Sequence, residues 1–251
     1  MNGTFRSDGF ALARHLVFPG GRRETGLPGF VLCHGFPTGP IDARRSAGTF
    51  PELVERISND LGWAALTFTF RGCGDSEGSF SFAGWLADLR NAVEHLHAEA
   101  EPSGIWLCGT STGGSLAVCV AAGDPRIRGV AMLAGRADFD DWARHPRRFL
   151  EHARDVGAIR DPAFPPSFEA WAREVARVQP LVATERFAPR PLLVVHGADD
   201  DVVPEADARQ FARAHGQADL RLLAGAGHRL RHDPRAVALL LGWLDRQRDR
   251  A

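Results

Sequence analysis

Residues 105–122 read IWLCGTSTGGSLAVCVAA, and this stretch decides the fold. Its first four residues form an apolar run typical of a buried strand, and its last eight favour a helix. Between them lies the G-x-S-x-G pentapeptide Gly109-Thr110-Ser111-Thr112-Gly113. A sharp strand-to-helix turn strains its central residue, and glycine two positions to either side removes the clashes that side chains would cause. We therefore predict that Ser111 lies on such a turn, where the helix N-terminus favours developing negative charge.

The same pentapeptide pattern occurs a second time, at residues 74–78, around Ser76. This match comes four residues after the apolar run WAALTFTF and leads into the loop-like SFSF, with a helix starting later. It therefore lacks the strand before and the helix after that the turn requires. We predict that Ser111 is the nucleophile and that Ser76 is a loop residue.

Short apolar runs alternate with amphipathic stretches along nearly the whole chain. Strand-like runs cover 10–18, 30–33, 63–70, 105–108, 127–134, 192–196 and 220–223, and helix-like runs cover 48–61, 85–98, 112–122 and 234–246. Apolar strands separated by helices are typical of a parallel sheet that is covered on both faces. We expect a single α/β domain over residues 1–251.

The interval from Gly135 to Pro191 is too long for a plain strand-to-helix connection. We expect two or three helices, broken at three prolines, that form a small helical lid over residues 136–190. The alternative is a set of ordinary surface helices anchored by aromatic side chains. The prolines are Pro162, Pro165 and Pro166, and the aromatic residues are Trp142, Phe149, Phe164, Phe168 and Trp171.

A serine hydroxyl needs a base to take its proton, and the base needs a third group to hold its tautomer. The strand PLLVV ends in HGADDDVVP, and the next strand, DLRLL, ends in AGAGH, which places His228 at the same edge of the sheet. We prefer His228 to His232, which lies near the start of the last helix, and we expect His95 and His97 to be surface residues. Strand-end spacing slightly favours Asp200 as the acid, while Asp199 and Asp201 could instead cap the next helix.

The composition excludes several other chemistries. The sequence contains neither lysine nor tyrosine, so neither can act as a base, an acid or a Schiff-base partner. Its net charge of −1 indicates no nucleic-acid partner and no anionic membrane surface. The four cysteines form no disulfide or metal-binding pattern, and no segment is apolar enough to be a signal peptide or a membrane span. We expect a cytoplasmic protein, and the sequence leaves its oligomeric state open.

Taken together, the motifs resemble those of the α/β-hydrolase superfamily over residues 9–246. The resemblance implies a mostly parallel sheet of about eight strands, flanked by helices, with a short N-terminal strand pair. It also places the triad acid on Asp200 and the base on His228. The matching segments are His34-Gly35-Phe36-Pro37, Arg71 to Ser76, Gly109 to Gly113, His196 to Pro204, and Gly227-His228.

Within the superfamily, the chain resembles small bacterial serine esterases related to dienelactone hydrolases, cinnamoyl esterases and acyl-peptidase catalytic domains. Dienelactone hydrolases use cysteine at the elbow, and haloalkane dehalogenases and epoxide hydrolases use aspartate, so Ser111 departs from all three. The resemblance implies that a small acyl substrate forms an acyl-enzyme on Ser111, that the backbone N–H groups of Phe36 and Thr112 hold the oxyanion, and that no cofactor or metal takes part. Amide or peptide hydrolysis, acyl transfer and C–C bond hydrolysis would use the same triad. A non-catalytic binding protein on this fold is the alternative from another class.

Overall fold

The computed structural model describes residues 2–39, 43 and 50–248, and it contains an eight-stranded, mostly parallel sheet flanked by helices. The strands are β1 (Asn2–Ser7), β2 (Phe10–Val17), β3 (Gly29–Cys33), β4 (Ala64–Phe68), β5 (Ile105–Thr110), β6 (Ile127–Leu133), β7 (Leu192–Gly197) and β8 (Asp219–Leu223). The helices are α1 (Phe50–Leu61), α2 (Phe82–Ala100), α3 (Thr112–Gly123), α4 (Asp140–Arg144), α5 (Pro146–Asp155), α6 (Phe168–Arg177), α7 (Pro180–Phe187), α8 (Glu205–His215) and α9 (Pro234–Gln247). These elements follow the predicted runs closely.

The strand order is β1-β2-β4-β3-β5-β6-β7-β8. Strands β3 to β8 run parallel to one another, while β1 and β2 form an antiparallel hairpin that joins the sheet along β4. Strand β1 is the one that the apolar pattern did not delimit. Its six residues bury one large apolar side chain, Phe5, because the strand lies at the edge of the sheet.

Buried apolar side chains form a layer on each face of the sheet, because successive strand residues point to opposite faces. In β3, Val31 belongs to one layer and Phe30 and Leu32 to the other. Helices α2 and α3 cover the first face, and α1 and α9 cover the second. The parallel strands therefore end together at one edge of a sheet whose two faces are covered, which is where such folds bind ligands.

The interval 135–191 is helical, as predicted, but it holds four short helices, α4 to α7, rather than two or three. The predicted breaks at Pro162, Pro165 and Pro166 lie between α5 and α6. The further breaks come at Pro146 and Pro180, which begin α5 and α7. Proline suits the first position of a helix but ends the one before it, so these prolines add a helix boundary each.

A buried ion pair fixes the loop between β4 and α2. The Arg71 guanidinium donates to the fully buried Asp88 carboxylate at 2.6 and 2.9 Å, and the indole N–H of Trp85 donates to the Arg71 carbonyl at 3.0 Å. Burial raises the pKa of Asp88, although the contact with Arg71 opposes that shift. Breaking one partner of such a pair leaves a buried charge without compensation. The loop is therefore held rigidly next to the site described below.

One expectation about the histidines is wrong. His95 is half-buried and its ring stacks on Phe5, with 5.2 Å between the centroids, whereas His97 is exposed as predicted. Helix α2 packs against β1, which carries Phe5. The prediction for His95 was wrong because the sequence pattern did not delimit β1.

Candidate active site

Ser111 lies at the junction of β5 and α3 with a strained backbone, at φ 49° and ψ −125°. Its N–H donates to the Leu133 carbonyl at 2.8 Å. A Cβ atom at Gly109 would lie 2.3 Å from the Gly113 backbone, and one at Gly113 would lie 2.3 Å from the His34 carbonyl oxygen. Both glycines are thus required for this turn, for the steric reason that the sequence indicates.

Ser76 lies in a different environment, although it has the same flanking glycines. It is 1% exposed, and its hydroxyl donates to the Thr69 carbonyl at 2.6 Å and accepts from the Ala13 N–H at 2.9 Å. Through these two hydrogen bonds, one donated and one accepted, the hydroxyl connects strand β2 to the loop after β4. This geometry agrees with the prediction that Ser76 is a structural loop residue.

Asp200 and His228 meet across the loops that follow β7 and β8. The Nδ1 atom of His228 lies 2.8 Å from Oδ2 of Asp200. The Asp200 side chain is fully buried, whereas Asp199 and Asp201 are exposed. Neither neighbour caps α8, whose N-cap residue is Pro204. His232 is exposed in a short 3-10 helix beyond His228.

Three hydrogen bonds and one longer histidine contact hold the Asp200 carboxylate. The amides of Val202 and Val203 donate to Oδ1 at 2.9 and 2.8 Å, and His228 and His196 approach Oδ2 at 2.8 and 3.3 Å. Burial alone would raise the pKa of Asp200, but its contacts with the two histidines and the two amides hold it well below its ordinary value. Asp200 is therefore a carboxylate at neutral pH and can only accept protons in hydrogen bonds.

Close backbone contact brings these two loops together. A Cβ atom at Gly197 would lie 2.2 Å from the Ala226 carbonyl oxygen, so only glycine fits where β7 ends. The N–H of Asp199 donates to that same Ala226 oxygen at 3.0 Å. The loop that carries His228 thus rests directly on the loop that carries Asp200.

The His34-Gly35-Phe36 segment lies beside the serine, since a Cβ at Gly35 would be 2.9 Å from Cβ of Ser111. The Phe70 N–H donates to Nε2 of His34 at 3.0 Å, so the ring proton is on Nδ1, which donates to the Gly35 carbonyl at 2.8 Å. Burial lowers the pKa of His34 to about 4, so the ring is neutral. Because the C=O and N–H of a planar trans peptide point in opposite directions, this bond also fixes the direction of the Phe36 N–H.

Two backbone N–H groups are available at this point. Helix α3 begins at Thr112, so its N–H has no acceptor within the helix. In the hydrogen bonds of the described residues, neither the Phe36 N–H nor the Thr112 N–H has an acceptor, and the Ser111 hydroxyl has no partner. Such donors are suited to an oxyanion that forms next to the serine.

One pocket is lined by three of the five predicted site residues. Its lining includes Ser111, His228, Phe36 and Leu133, but none of the five aromatic residues singled out between 135 and 191. Two of these residues, Trp142 and Phe149, line a separate cavity with His145 and His152. The ring of Phe36, which lines the first pocket, contacts both of them, with its centroid 5.3 Å from that of Trp142 and 5.4 Å from that of Phe149.

The sequence-based prediction gave no task to His34 or His196, although both occur in quoted motifs. Each is the first residue of a His-Gly pair at the end of a strand, and each is buried. His34 contacts the backbone of Gly35 and Phe70, and His196 contacts Val203 and Asp200. That shared pattern is the signal that could have identified them. Among the residues described here, no group of three or more histidine, cysteine or acidic side chains is arranged to hold a metal ion.

Comparison with known proteins identifies the family. The sequence profile of the alpha/beta hydrolase family matches residues 30–239. The chain belongs to the alpha/beta hydrolase family. Among curated relatives of this hydrolase, Esterase YjfP of Escherichia coli is 24% identical over 226 residues, which cover 79% of the chain and 78% of that protein. A pimeloyl-[acyl-carrier protein] methyl ester esterase of Stenotrophomonas maltophilia is 29% identical, over 68% of the chain and 64% of that protein.

Solved structures share the fold of this hydrolase over nearly its whole length. Est1E from Butyrivibrio proteoclasticus, solved with bound ferulic acid, matches with a TM-score of 0.77 and 20% identity, over 99% of the chain and 100% of that protein. The hydrolase GrgF from a Penicillium species matches with a TM-score of 0.73 and 19% identity, over 99% and 98%. At these identities the likeness establishes the fold. Among the residues that the structure describes, no helix is both long and apolar enough to cross a membrane.

Proposed function

We propose that this hydrolase is a serine esterase that cleaves a carboxylic ester through an acyl-enzyme on Ser111. The observation that carries the proposal is the Asp200–His228 hydrogen bond of 2.8 Å, formed where His228 and the strained Ser111 line one pocket. The esterase names of several curated relatives favour ester hydrolysis over amide or peptide hydrolysis, acyl transfer or C–C bond hydrolysis. The substrate is a small acyl compound, and its acyl and alcohol groups are set by the pocket.

The mechanism follows from the geometry. Nε2 of His228 takes the Ser111 proton as the serine oxygen attacks the carbonyl carbon, and Asp200 holds the Nδ1 proton and stabilises the imidazolium. The backbone N–H groups of Phe36 and Thr112 donate to the oxyanion, a contribution of about 3 kcal/mol for each donor in comparable sites. The imidazolium then protonates the leaving alkoxide. Water attacks the acyl-enzyme with His228 again acting as base, which releases the acid and restores the serine.

We also propose that α4 to α6 act as the lid. Trp142 and Phe149 from α4 and α5 contact the ring of Phe36, so this segment packs on the residue that offers the oxyanion N–H. Helix α7 packs against α3 and α8 and so supports the main helical layer.

The two serines in G-x-S-x-G patterns offer a matched test. In Ser111→Ala, hydrolysis of p-nitrophenyl acetate and butyrate should fall by at least about 10³-fold, because the nucleophile is removed. In Ser76→Ala, turnover should persist, while the free energy of unfolding should fall by about 1–3 kcal/mol because buried partners lose their hydrogen bonds. Circular dichroism and urea unfolding check the fold of both variants.

Undiminished turnover in Ser111→Ala would refute the proposal. The substrate panel should contain short acyl esters, a methyl ester, an ester of an aromatic acid, arylamides and lactones, each measured against the Ser111→Ala background. The aromatic ester is included because Est1E was solved with ferulic acid. A wild-type chain that binds but turns over none of these compounds would favour the non-catalytic alternative.

A further inference from the structure

His196 ends strand β7 with a fully buried side chain, and the mechanism above gives it no task. Its Nε2 atom lies 2.9 Å from the Val203 carbonyl oxygen and 3.3 Å from Oδ2 of Asp200. The same Oδ2 atom lies 2.8 Å from Nδ1 of His228. One carboxylate oxygen is thus contacted by two imidazole rings, one from the strand below it and one from the loop above.

The contacts of His196 all point in one direction. Its Nδ1 atom is buried and has no hydrogen-bond partner among the described residues, so the polar contacts of the ring pass through Nε2. Because the Val203 carbonyl can only accept, Nε2 must carry a proton, which it does both in one neutral tautomer and in the imidazolium. The Nε2–H that donates to Val203, with Nε2 3.3 Å from Oδ2 of Asp200, is therefore present in either charge state.

The charged groups around His196 come from three elements. Asp200 lies in the loop after β7, Asp207 lies on α8, and His228 lies in the loop after β8. Burial alone would lower the pKa of His196, but its contact with Asp200 raises it. The charge of the His196 ring is therefore influenced mainly by Asp200 and not by solvent.

Removal of the Nε2 donor would have two local effects. Oδ2 of Asp200 would keep His228 as its histidine partner but lose the contact that fixes it from below. The Val203 carbonyl would lose its side-chain donor, which loosens the turn whose amides hold Oδ1. Both effects reach Ser111 only through the orientation of Asp200 and His228.

From this geometry we propose that His196 is a positioning residue for the Asp200 carboxylate: its Nε2–H donates to the Val203 carbonyl and lies 3.3 Å from Oδ2 of Asp200, and it so holds the carboxylate and, through it, the orientation of His228. The inference rests on the proposed function, because Asp200 matters here as the orienter of a catalytic base. It concerns the position of the carboxylate, not the substrate that the serine attacks.

Two amide variants of different length test whether the N–H donor at the Nε2 position is needed. The amide nitrogen in His196→Gln can reach the place of Nε2, whereas the shorter His196→Asn places its amide near Nδ1. We expect His196→Gln to keep most of the wild-type kcat and His196→Asn to lose about 10- to 100-fold, the range typical of groups that orient a site's ligands from behind. KM should change little in either variant, because His196 does not line the pocket that would hold the ester.

A double-mutant cycle with Asp200→Asn distinguishes positioning from general structural support. If His196 acts through Asp200, His196→Asn should cost little further activity once Asp200→Asn is present. His215→Leu is the matched control, since His215 is also buried, contacts the Arg190 carbonyl at 2.9 Å and lies on α8 away from the pocket. That variant should lower the unfolding free energy without the selective loss of kcat expected for His196→Asn.

The rate at which a fluorophosphonate labels Ser111, followed by mass spectrometry, gives a readout that does not depend on the substrate. Equal kcat in His196→Gln and His196→Asn, or an equal fold-loss in the presence of Asp200→Asn, would overturn the inference. If no ester is turned over but labelling of Ser111 still differs between the two variants as expected, the ester assignment fails and the inference stands. If Ser111-dependent turnover and labelling are both unchanged in the His196 variants, the inference fails and the proposed function stands.

Discussion

At the scale of single residues, three consecutive aspartates illustrate what the sequence could and could not decide. Asp199, Asp200 and Asp201 all follow β7, and spacing favoured the middle one only slightly. The structure buries Asp200 alone, because His228 arrives from a loop 28 positions further along the chain to meet it. A contact of that kind is tertiary, so spacing along one strand end could not reveal it, whereas Gly109 and Gly113 were predictable because their clash is local.

The three aspartates therefore offer a graded test. We expect Asp200→Asn to lower kcat by about 10⁴-fold, because the amide can no longer hold the Nδ1–H tautomer of His228. Asp199→Asn and Asp201→Asn should stay within about threefold of wild type, since both side chains are exposed. Steady-state kinetics on one ester measures all three, and a larger loss at either neighbour would move the acid to that position.

At the scale of elements, the sequence predicted the sheet and the helices that flank it but not the subdivision of the interval 135–191. Hydrophobic periodicity predicts a helix wherever one face is buried. It does not show whether a proline within the helical stretch begins a new helix. Pro146 and Pro180 were missed for this reason. The contact between Phe36 and Trp142 could not be predicted either, because it joins residues far apart in the chain.

The packing of α4 on Phe36 leads to a prediction about the lid. Truncation in Trp142→Ala removes a ring whose centroid lies 5.3 Å from that of Phe36, so the oxyanion N–H should be less firmly held and kcat should fall several-fold. Phe168→Ala is the control, because that ring stacks on Trp171 at 6.4 Å and on Arg147 instead. Equal kcat in the two variants, with both folded, would contradict the link between lid and oxyanion site.

At the scale of the whole molecule, the pH dependence of stability should carry the signature of His34. Its pKa is about 4 in the fold and about 6.5 in an unfolded chain, so the unfolded state binds more protons between these values. The free energy of unfolding should therefore fall as the pH drops from about 6.5 towards 4, by roughly 1.4 kcal/mol per unit from this group. Urea unfolding at pH 7.5 and 5.0 measures the difference.

In His34→Gln this contribution is absent, so the loss of stability between the two pH values should be smaller than in wild type by about 2 kcal/mol. His97→Gln serves as the control, because that side chain is exposed on α2. The same pH slope in wild type and His34→Gln would show that the ring is not buried in its neutral form.

Strand β8 has a further consequence for how the molecule loses activity. It stands last in the strand order, pairs with β7, and all five of its residues are at least partly exposed, yet the loop that follows it carries His228. An edge strand of this kind opens at a lower free energy than the interior of a sheet. His228, the proposed base, thus follows the least buried of the parallel strands, whereas Ser111 follows β5, all of whose residues are buried. If His228 is the base, local opening at β8 would interrupt turnover reversibly while the rest of the sheet stays folded.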